Sequence, residues 1–316
     1  MVAGFKPALG PPTSPTARRT WSEQGADHER VRADGQSGST GVNSDAHRIA
    51  WLPMDVYHFA SGTAPLLVSM PHVGTHIPDV LARRMSDDAR GVPDTDWHVD
   101  RLYDFLGDLG AAVLKATHSR YVIDLNRPPD SAPLYPGAAN TGLCPTEQFD
   151  GQAIYKSGHV PDNAEVQDRL DRYWHPYHER LNTELEVLRA RHGVALLFEA
   201  HTIRSHVPRL FEGRLPDINL GTADGKSCAS ELAALLIETA GEAESYSSVL
   251  NGRFKGGYIT RHYGRPAEGV HTLQLELSQL TYMDEDPPYA FREDLAKAVR
   301  PTLHAILETM LAWSGR

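Results

Sequence analysis

Short apolar runs that are typical of buried strands alternate along this chain with amphipathic segments that are typical of helices. The apolar runs occupy residues 66–68, 112–116, 121–125, 194–201, 256–260 and 271–277, and the helical segments occupy residues 101–109, 166–188, 226–240 and 289–313. Such alternation predicts a mainly parallel sheet that is covered by helices on both of its faces. The expected fold class is therefore α/β, a single three-layer αβα domain.

The first 50 residues do not follow this pattern. They are rich in Pro, Gly, Ser, Thr, Asp and Arg and show hardly any apolar periodicity. Such a segment buries too little apolar surface to offset the entropy that is lost when it becomes ordered. We expect residues 1–50 to be a disordered extension and residues 51–316 to form the folded domain.

Charge and cysteine content exclude several classes of protein. A formal net charge of -10 argues against a general nucleic-acid binder, which needs a basic face. Two cysteines are too few for a disulfide framework and indicate a reducing compartment. Neither a transmembrane run of about 18 apolar residues nor the apolar centre of a signal peptide is visible. We expect a cytoplasmic protein without a membrane partner, and the oligomeric state stays open.

Three polar residues lie where predicted strands end or expose one face: His72, His201 and Glu276. Ligands of α/β proteins bind in the crevice beyond the carboxyl ends of the strands. A catalytic zinc site uses three ligands from His, Asp and Glu, and a nearby carboxylate serves as the general base. We expect His72 and His201 to be metal ligands. Glu276 alternates with two leucines, so its carboxylate points away from them and is the candidate base.

The third metal ligand is less clearly indicated. Asp96 lies in the acidic approach to a predicted helix, and His76 follows His72 by four residues. His76 reaches the same ion only if its loop turns like a helix. Asp94 and Asp100 are further alternatives. We favour Asp96 and keep His76 as its rival.

Several arginines and one asparagine fall in the loops at the predicted ends of the strands. Planar guanidinium groups bind carboxylates through two hydrogen bonds, so this concentration indicates an anionic substrate and favours a dicarboxylate. The residues concerned are Arg120, Asn126, Arg127, Arg204, Arg209 and Arg214.

Seven sequence blocks of this chain resemble the N-formylglutamate amidohydrolase (N-formylglutamate deformylase) family, and they occur in the family order. They are Met70-Pro-His-Val-Gly-Thr, Asp94-Thr-Asp-Trp-His-Val-Asp-Arg-Leu-Tyr, Val122-Ile-Asp-Leu-Asn-Arg-Pro-Pro, Glu199-Ala-His-Thr-Ile-Arg-Ser, Pro208-Arg-Leu-Phe-Glu-Gly-Arg-Leu-Pro-Asp-Ile-Asn-Leu-Gly-Thr, Lys255-Gly-Gly-Tyr-Ile-Thr-Arg and Gln274-Leu-Glu-Leu. The likeness covers residues 52–315.

The resemblance implies hydrolysis of N-formyl-L-glutamate to formate and L-glutamate, the last step of a histidine-degradation route. It also implies a mixed sheet similar to that of the zinc carboxypeptidases and aspartoacylases, and a divalent metal, with zinc as the expected ion. Carried over by position, Asn126 and Arg127 match the pair that holds the substrate carboxylate, and Glu276 matches the base. Thr75 stands where those relatives have a ligating glutamate, so another residue has to supply the third ligand.

Two alternatives to this function stay open on the sequence. The chain could hydrolyse another N-acyl amino acid, which a comparison of formyl, acetyl and succinyl glutamate would reveal. It could also be a non-catalytic protein that binds a metal or an amino acid, with no turnover on any acyl substrate. Retention of the candidate base Glu276 argues against the second alternative.

Overall fold

The structure is a computed structural model, and it describes residues 55–133 and 141–315. The predicted N-terminal extension at residues 1–50 lies outside the described residues. Within them, no helix is both long enough and apolar enough to span a membrane.

Strands and helices alternate along the described chain. The strands are β1 (Tyr57–Ala60), β2 (Leu66–Met70), β3 (Ala112–Ala116), β4 (Ala195–Ile203), β5 (Ile218–Gly221), β6 (Ser248–Leu250) and β7 (Val270–Ser278). The helices are α1 (Asp79–Ala82), α2 (Asp87–Arg90), α3 (Val99–Leu102), α4 (Asn163–Arg169), α5 (His175–His192), α6 (Ser230–Gly241), α7 (Tyr258–Tyr263) and α8 (Glu293–Ser314). A π-helical turn at Leu170–Trp174 joins α4 to α5.

The described strands form one sheet in the order β1-β3-β2-β4-β7-β5-β6. Strands β3, β2, β4 and β7 are parallel to one another, whereas β1 and β5 pair antiparallel with β3 and β7. The predicted α/β class with a mainly parallel mixed sheet is therefore confirmed. Every residue of β2, β4 and β7 is buried, as expected for central strands that are covered on both faces.

Two hydrophobic cores lie on the two faces of the sheet. Leu196 and Phe198 of β4 belong to the core that contains α6 and α8, and Leu197 belongs to the core that contains α5. Alternate residues of a strand point to opposite faces, so this division shows helices on both sides of one sheet. On β7, Leu275 and Leu277 enter the core with α6 and α8, and Glu276 therefore faces the α5 side, as the alternation predicted.

The predicted strands at 121–125 and 256–260 were wrong. Residues 121–125 form turns, and their apolar side chains pack in the core beneath α5 without joining the sheet. Residues 256–260 instead lead into a helix, because Gly257 caps the N-terminus of α7. Short apolar runs have the same pattern whether a strand or a turn buries them, and sequence periodicity does not separate these cases.

Three of the predicted helical segments are present. Residues 166–188 correspond to α4 with α5, residues 226–240 to α6, and residues 289–313 to α8. The segment at 101–109 instead holds only the last two residues of α3 and a 3₁₀ turn at Asp104–Gly107. Tyr177, Leu181, Leu185 and Leu188 form the buried stripe of α5. Gly193 ends this helix with a positive φ of 78°, a conformation that glycine adopts without strain.

Candidate metal centre and substrate cavity

Two histidines and one aspartate meet at the carboxyl ends of adjacent parallel strands. His72 follows β2 by two residues, and His201 lies near the end of the neighbouring strand β4. Asp96 comes from the loop before α3, where its backbone N–H donates to the carbonyl oxygen of His72 at 3.0 Å. One ligand atom from each of the three side chains lies within 4.8 Å of the other two.

The two ring nitrogens of each histidine have different partners. The Nε2 atoms contact carboxylates outside the cluster, and the Nδ1 atoms face Asp96 inside it. Nε2 of His72 donates to Oδ1 of Asp124 at 2.7 Å, and Nε2 of His201 lies 3.3 Å from Oε1 of Glu199. Their Nδ1 atoms lie 3.8 and 3.0 Å from Oδ2 of Asp96. A metal-ligating histidine commonly donates its other N–H to a carboxylate, which fixes its tautomer and orientation. This division is therefore the pattern expected of two metal ligands.

The charge of His201 also fits a cation site. Burial opposes protonation of this ring, but its hydrogen bonds with Asp96 and Glu199 outweigh burial and raise its pKa well above the ordinary value. An imidazolium between two buried carboxylates occupies the electrostatic position that a bound cation would take. The donor set of two imidazoles and one carboxylate suits a divalent ion such as zinc.

His72 behaves differently because a different charge surrounds it. Burial and the positive charge of Arg120 lower its pKa, against the opposing effects of Asp124 and Asp96. Burial also opposes ionisation of Asp124, but Arg120 and His72 outweigh it and hold the Asp124 pKa well below its usual range. His72 is therefore a neutral imidazole whose N–H is on the Asp124 side, which leaves Nδ1 as the donor atom for a metal.

Glu276 lies beside this cluster on the next strand. It is the register partner of His201 across β4 and β7, and its Oε2 accepts from Nε2 of Gln274 at 3.1 Å. Burial is the largest influence and raises the pKa of Glu276 to about 7, with Asp96 adding to the rise and His201 opposing it. A carboxyl group that titrates near neutral pH can both accept and return a proton.

A single cavity contains His72, His201, Glu276, Asn126 and Arg127 among its lining residues. The Nδ2 atom of Asn126 lies 3.0 Å from Nε2 of His201, and its Oδ1 accepts from the backbone N–H of Ile259 at 2.9 Å. The Asn126 side chain is thus held between β4 and the first turn of α7. The cavity therefore brings together the two predicted histidine ligands, the predicted base and the predicted carboxylate pair.

The predicted arginines divide into those that line the cavity and those that do not. Arg120 lines it while its Nη2 pairs with Asp124 at 2.7 Å. Arg127 donates to the backbone and hydroxyl oxygens of Thr141 and to its neighbour's carbonyl. Arg204 pairs with Asp286, and Arg209 pairs with Glu147, so the structure does not bring either of these two into the cavity.

The rivals of Asp96 lie elsewhere. The ring of His76 packs against the ring of His118, with centroids 4.9 Å apart. Oδ2 of Asp94 accepts from the hydroxyl of Tyr121 at 2.6 Å, and Asp100 pairs with Lys115 at the surface. Of the four candidates, only Asp96 joins the two histidines.

Sequence reasoning missed four residues of the site: Asp124, Glu199, Gln274 and Arg253. Asp124 and Glu199 are acidic residues inside apolar runs, which is the same signal that singled out Glu276. Arg253 lines the cavity from the loop after β6, a strand that was itself not predicted. A strand of three half-buried residues leaves too weak a pattern to be recognised.

Comparison with known proteins gives consistent results. The sequence profile of the N-formylglutamate amidohydrolase family matches residues 64–283. The chain is 53% identical to N-formylglutamate deformylase of Pseudomonas aeruginosa over 259 residues, which is 82% of this chain and 97% of that protein. It is 52% identical to N-formylglutamate deformylase of Pseudomonas putida over 260 residues, with the same coverage.

Solved structures show the same fold. The crystal structure of N-formylglutamate amidohydrolase from Ralstonia eutropha has a TM-score of 0.70 at 28% identity and covers 83% of this chain and 100% of that chain. A gene product of Agrobacterium tumefaciens has a TM-score of 0.61 at 18% identity, covering 81% of this chain and 95% of its own. At that lower identity the likeness concerns the fold alone.

Proposed function

Because the chain belongs to the N-formylglutamate amidohydrolase family, we propose that it is a metal-dependent hydrolase that converts N-formyl-L-glutamate to formate and L-glutamate. The observation that carries this proposal is a His-Asp-His cluster whose two histidines line one cavity together with a buried glutamate and an Asn-Arg pair. Together these groups provide what the hydrolysis of an anionic N-acyl amino acid requires.

His72, Asp96 and His201 are the residues that would hold the metal. A divalent ion held by these residues would supply Lewis-acid chemistry, which polarises a carbonyl oxygen and lowers the pKa of water, and zinc is the ion we propose. Asp124 and Glu199 orient the two imidazoles toward that position through their contacts with Nε2. Binding of the ion would release the His201 proton, so the protein would supply two imidazole nitrogens and one carboxylate oxygen in a buried setting.

Glu276 is the proposed proton carrier. It takes a proton from the attacking water as the oxygen approaches the formyl carbon. The same carboxyl group then gives this proton to the leaving nitrogen, and formate and L-glutamate are released. Its raised pKa of about 7 keeps the two protonation states close in energy, as this double role demands.

Asn126 and Arg127 are proposed to hold the α-carboxylate of the substrate. The α-carboxylate carbon is two bonds from the nitrogen of the scissile amide, and Asn126 is in contact with His201. Because the formyl group is small, most of the binding energy has to come from the glutamate half. Fixing the α-carboxylate therefore also fixes the formyl carbon relative to the reacting groups.

The cellular setting is part of the proposal. Within the described residues Cys144 and Cys228 are both free thiols, which agrees with a reducing, cytoplasmic environment. We propose that this enzyme closes a histidine-degradation route, a role taken from its family. Growth of a deletion strain on histidine, with accumulation of N-formylglutamate, tests this role.

The first experiment measures formate release from N-formyl-L-glutamate by metal-stripped protein, before and after addition of Zn²⁺ or another divalent ion. We expect activity only with metal and its loss in Asp96→Ala, while His76→Ala keeps it. Full activity of stripped protein would overturn the metal mechanism. Faster hydrolysis of N-acetyl or N-succinyl glutamate would reassign the substrate, and no turnover of any acyl amino acid would overturn the function.

A further inference from the structure

We propose that Arg253 binds the side-chain carboxylate of the substrate and determines the preference for glutamate over uncharged amino acids. This inference rests on the proposed function and extends it to a residue that neither the sequence motifs nor the comparisons assign. Arg253 lies in the loop that leaves β6, and it lines the same cavity as His201 and Glu276.

The other cavity arginines serve different purposes. Arg120 is buried and joined to Asp124 at 2.7 Å, so it takes part in orienting His72. Arg127 adjoins Asn126, close to His201, where the α-carboxylate has to lie. A dicarboxylate needs a second cationic group farther from the scissile nitrogen, because its side-chain carboxyl carbon is four bonds away. Within the described cavity lining, Arg253 is the remaining arginine.

The contacts of Arg253 suit this role. Its Nε donates to the carbonyl oxygen of Leu210 at 2.6 Å, and its guanidinium lies 5.4 Å from the ring centre of Phe254. The bond to Leu210 orients the planar group, so less side-chain entropy is lost when the guanidinium binds a carboxylate. An arginine held in this way recognises a carboxylate by geometry as well as by charge.

The cavity wall near Arg253 is apolar. Phe149 and Ile203 belong to a small hydrophobic cluster, and Leu210 and Phe254 pack against it. All four side chains also line the cavity. A glutamate side chain has two methylene groups before its carboxylate, so this wall with a guanidinium beside it complements an apolar linker that ends in a charge.

The test compares N-formyl-L-glutamate with N-formyl-L-glutamine, an isosteric substrate without the side-chain charge, on the zinc-loaded enzyme. We expect Arg253→Ala to lower kcat/KM for the glutamate substrate about 100-fold and for the glutamine substrate by less than about 3-fold. Arg253→Lys should recover part of the loss. Lys255→Ala is the matched control, because this cation of the same loop pairs with Asp224 at 3.0 Å.

A second measurement separates this inference from the proposed function. Calorimetry compares the binding of L-glutamate and L-glutamine to wild type and Arg253→Ala without requiring turnover. A glutamate preference that depends on Arg253, in a protein that does not hydrolyse formylglutamate, would support the inference and overturn the function. Equal losses on both substrates, an unchanged preference in Arg253→Ala, or no glutamate preference in the wild type would overturn the inference.

Discussion

The indole N–H of Trp174 donates a hydrogen bond to the backbone carbonyl of Arg127 at 3.0 Å. One helical turn later, Nε2 of His178 hydrogen-bonds the carbonyl of Leu125 at 2.9 Å. The two rings stack with centroids 3.7 Å apart. These two side chains thus hold the backbone on either side of Asn126, and Trp174 is the last residue of the π-helical turn at Leu170–Trp174. Single π-helical turns are frequent at functional sites.

Trp174→Phe should weaken substrate binding while the stacked ring on His178 is kept. Loss of one hydrogen bond that orients the Arg127 loop is expected to raise KM for N-formylglutamate about 5-fold, with little change in kcat. Steady-state kinetics measures this split. Trp313→Phe on α8, where the ring contacts His271, should leave KM unchanged. An unchanged KM in Trp174→Phe would show that the loop is held without this bond.

Gly257→Ala should inactivate the enzyme because the backbone of residue 257 touches the Asn126 side chain. A Cβ at this position would lie 2.3 Å from Nδ2 and 2.5 Å from Oδ1 of Asn126, so the amide has to move. We expect kcat/KM to fall at least about 100-fold, as small displacements in a site do. Gly241→Ala is the control, because nothing lies within 4 Å of a Cβ at the end of α6. Equal activities of both variants would contradict this packing argument.

Asp124→Asn should lower the affinity for the metal without removing a ligand. The amide has one acceptor oxygen in place of a carboxylate, so it holds His72 and Arg120 less firmly. Loss of such an orienting partner typically weakens metal affinity about 10- to 100-fold. Competition with a chromogenic chelator measures the zinc Kd, and Asp87→Asn on exposed α2 serves as the control. A wild-type Kd in Asp124→Asn would contradict the role of this carboxylate.

The pH dependence of kcat/KM should follow the ionisation of Glu276. Burial raises the pKa of this carboxyl group to about 7, and the base acts only when it is deprotonated. Activity should therefore fall as pH decreases below the pKa of Glu276. A bound cation attracts the carboxylate and lowers this pKa, so in the metal-loaded enzyme we expect the decrease at a pH below about 7. Glu276→Gln should abolish turnover while the zinc Kd stays near that of the wild type. Residual turnover by Glu276→Gln with the same decrease at low pH as the wild type would argue for a different titrating group.

His178 should contribute a decrease in the stability of the protein as pH falls below about 6.5. Burial lowers the pKa of His178 to about 3, against the raising effect of its bond to Leu125. Between these two values the unfolded chain binds one proton more than the folded chain, so the free energy of unfolding rises with pH in this range.

Urea titrations at several pH values measure this dependence. The slope of the unfolding free energy between pH 4 and 6 should be smaller in His178→Gln by about 1.4 kcal/mol per pH unit. His159→Gln is the control, since this ring is exposed and bonds locally to Ser157. Equal slopes in wild type and His178→Gln would show that His178 is not the group that titrates.

The sequence by itself determined the fold class, the family and six of the residues that line the cavity. Apolar runs before His72 and around His201 and Glu276 carried this information, because strand alternation decides which face a side chain occupies. That Asp96, and not His76, lies beside His72 and His201 depends on contacts between residues that are distant in the chain. Asp96 reaches His201 across 105 positions, a separation at which no local pattern reports proximity.

The tertiary structure also decided which charged side chains lie in the cavity. Arg204 and Arg209 lie in predicted loops at strand ends, as Arg127 does. In the structure, however, they form ion pairs with acidic residues from other segments. No sequence pattern singled out Arg253. The packing of its loop beside Leu210 brings it to the cavity. Residue type limits what a side chain can do, and its partners decide which of those roles it has. Those partners are assembled only when the chain folds, because they come from loops that are far apart in sequence.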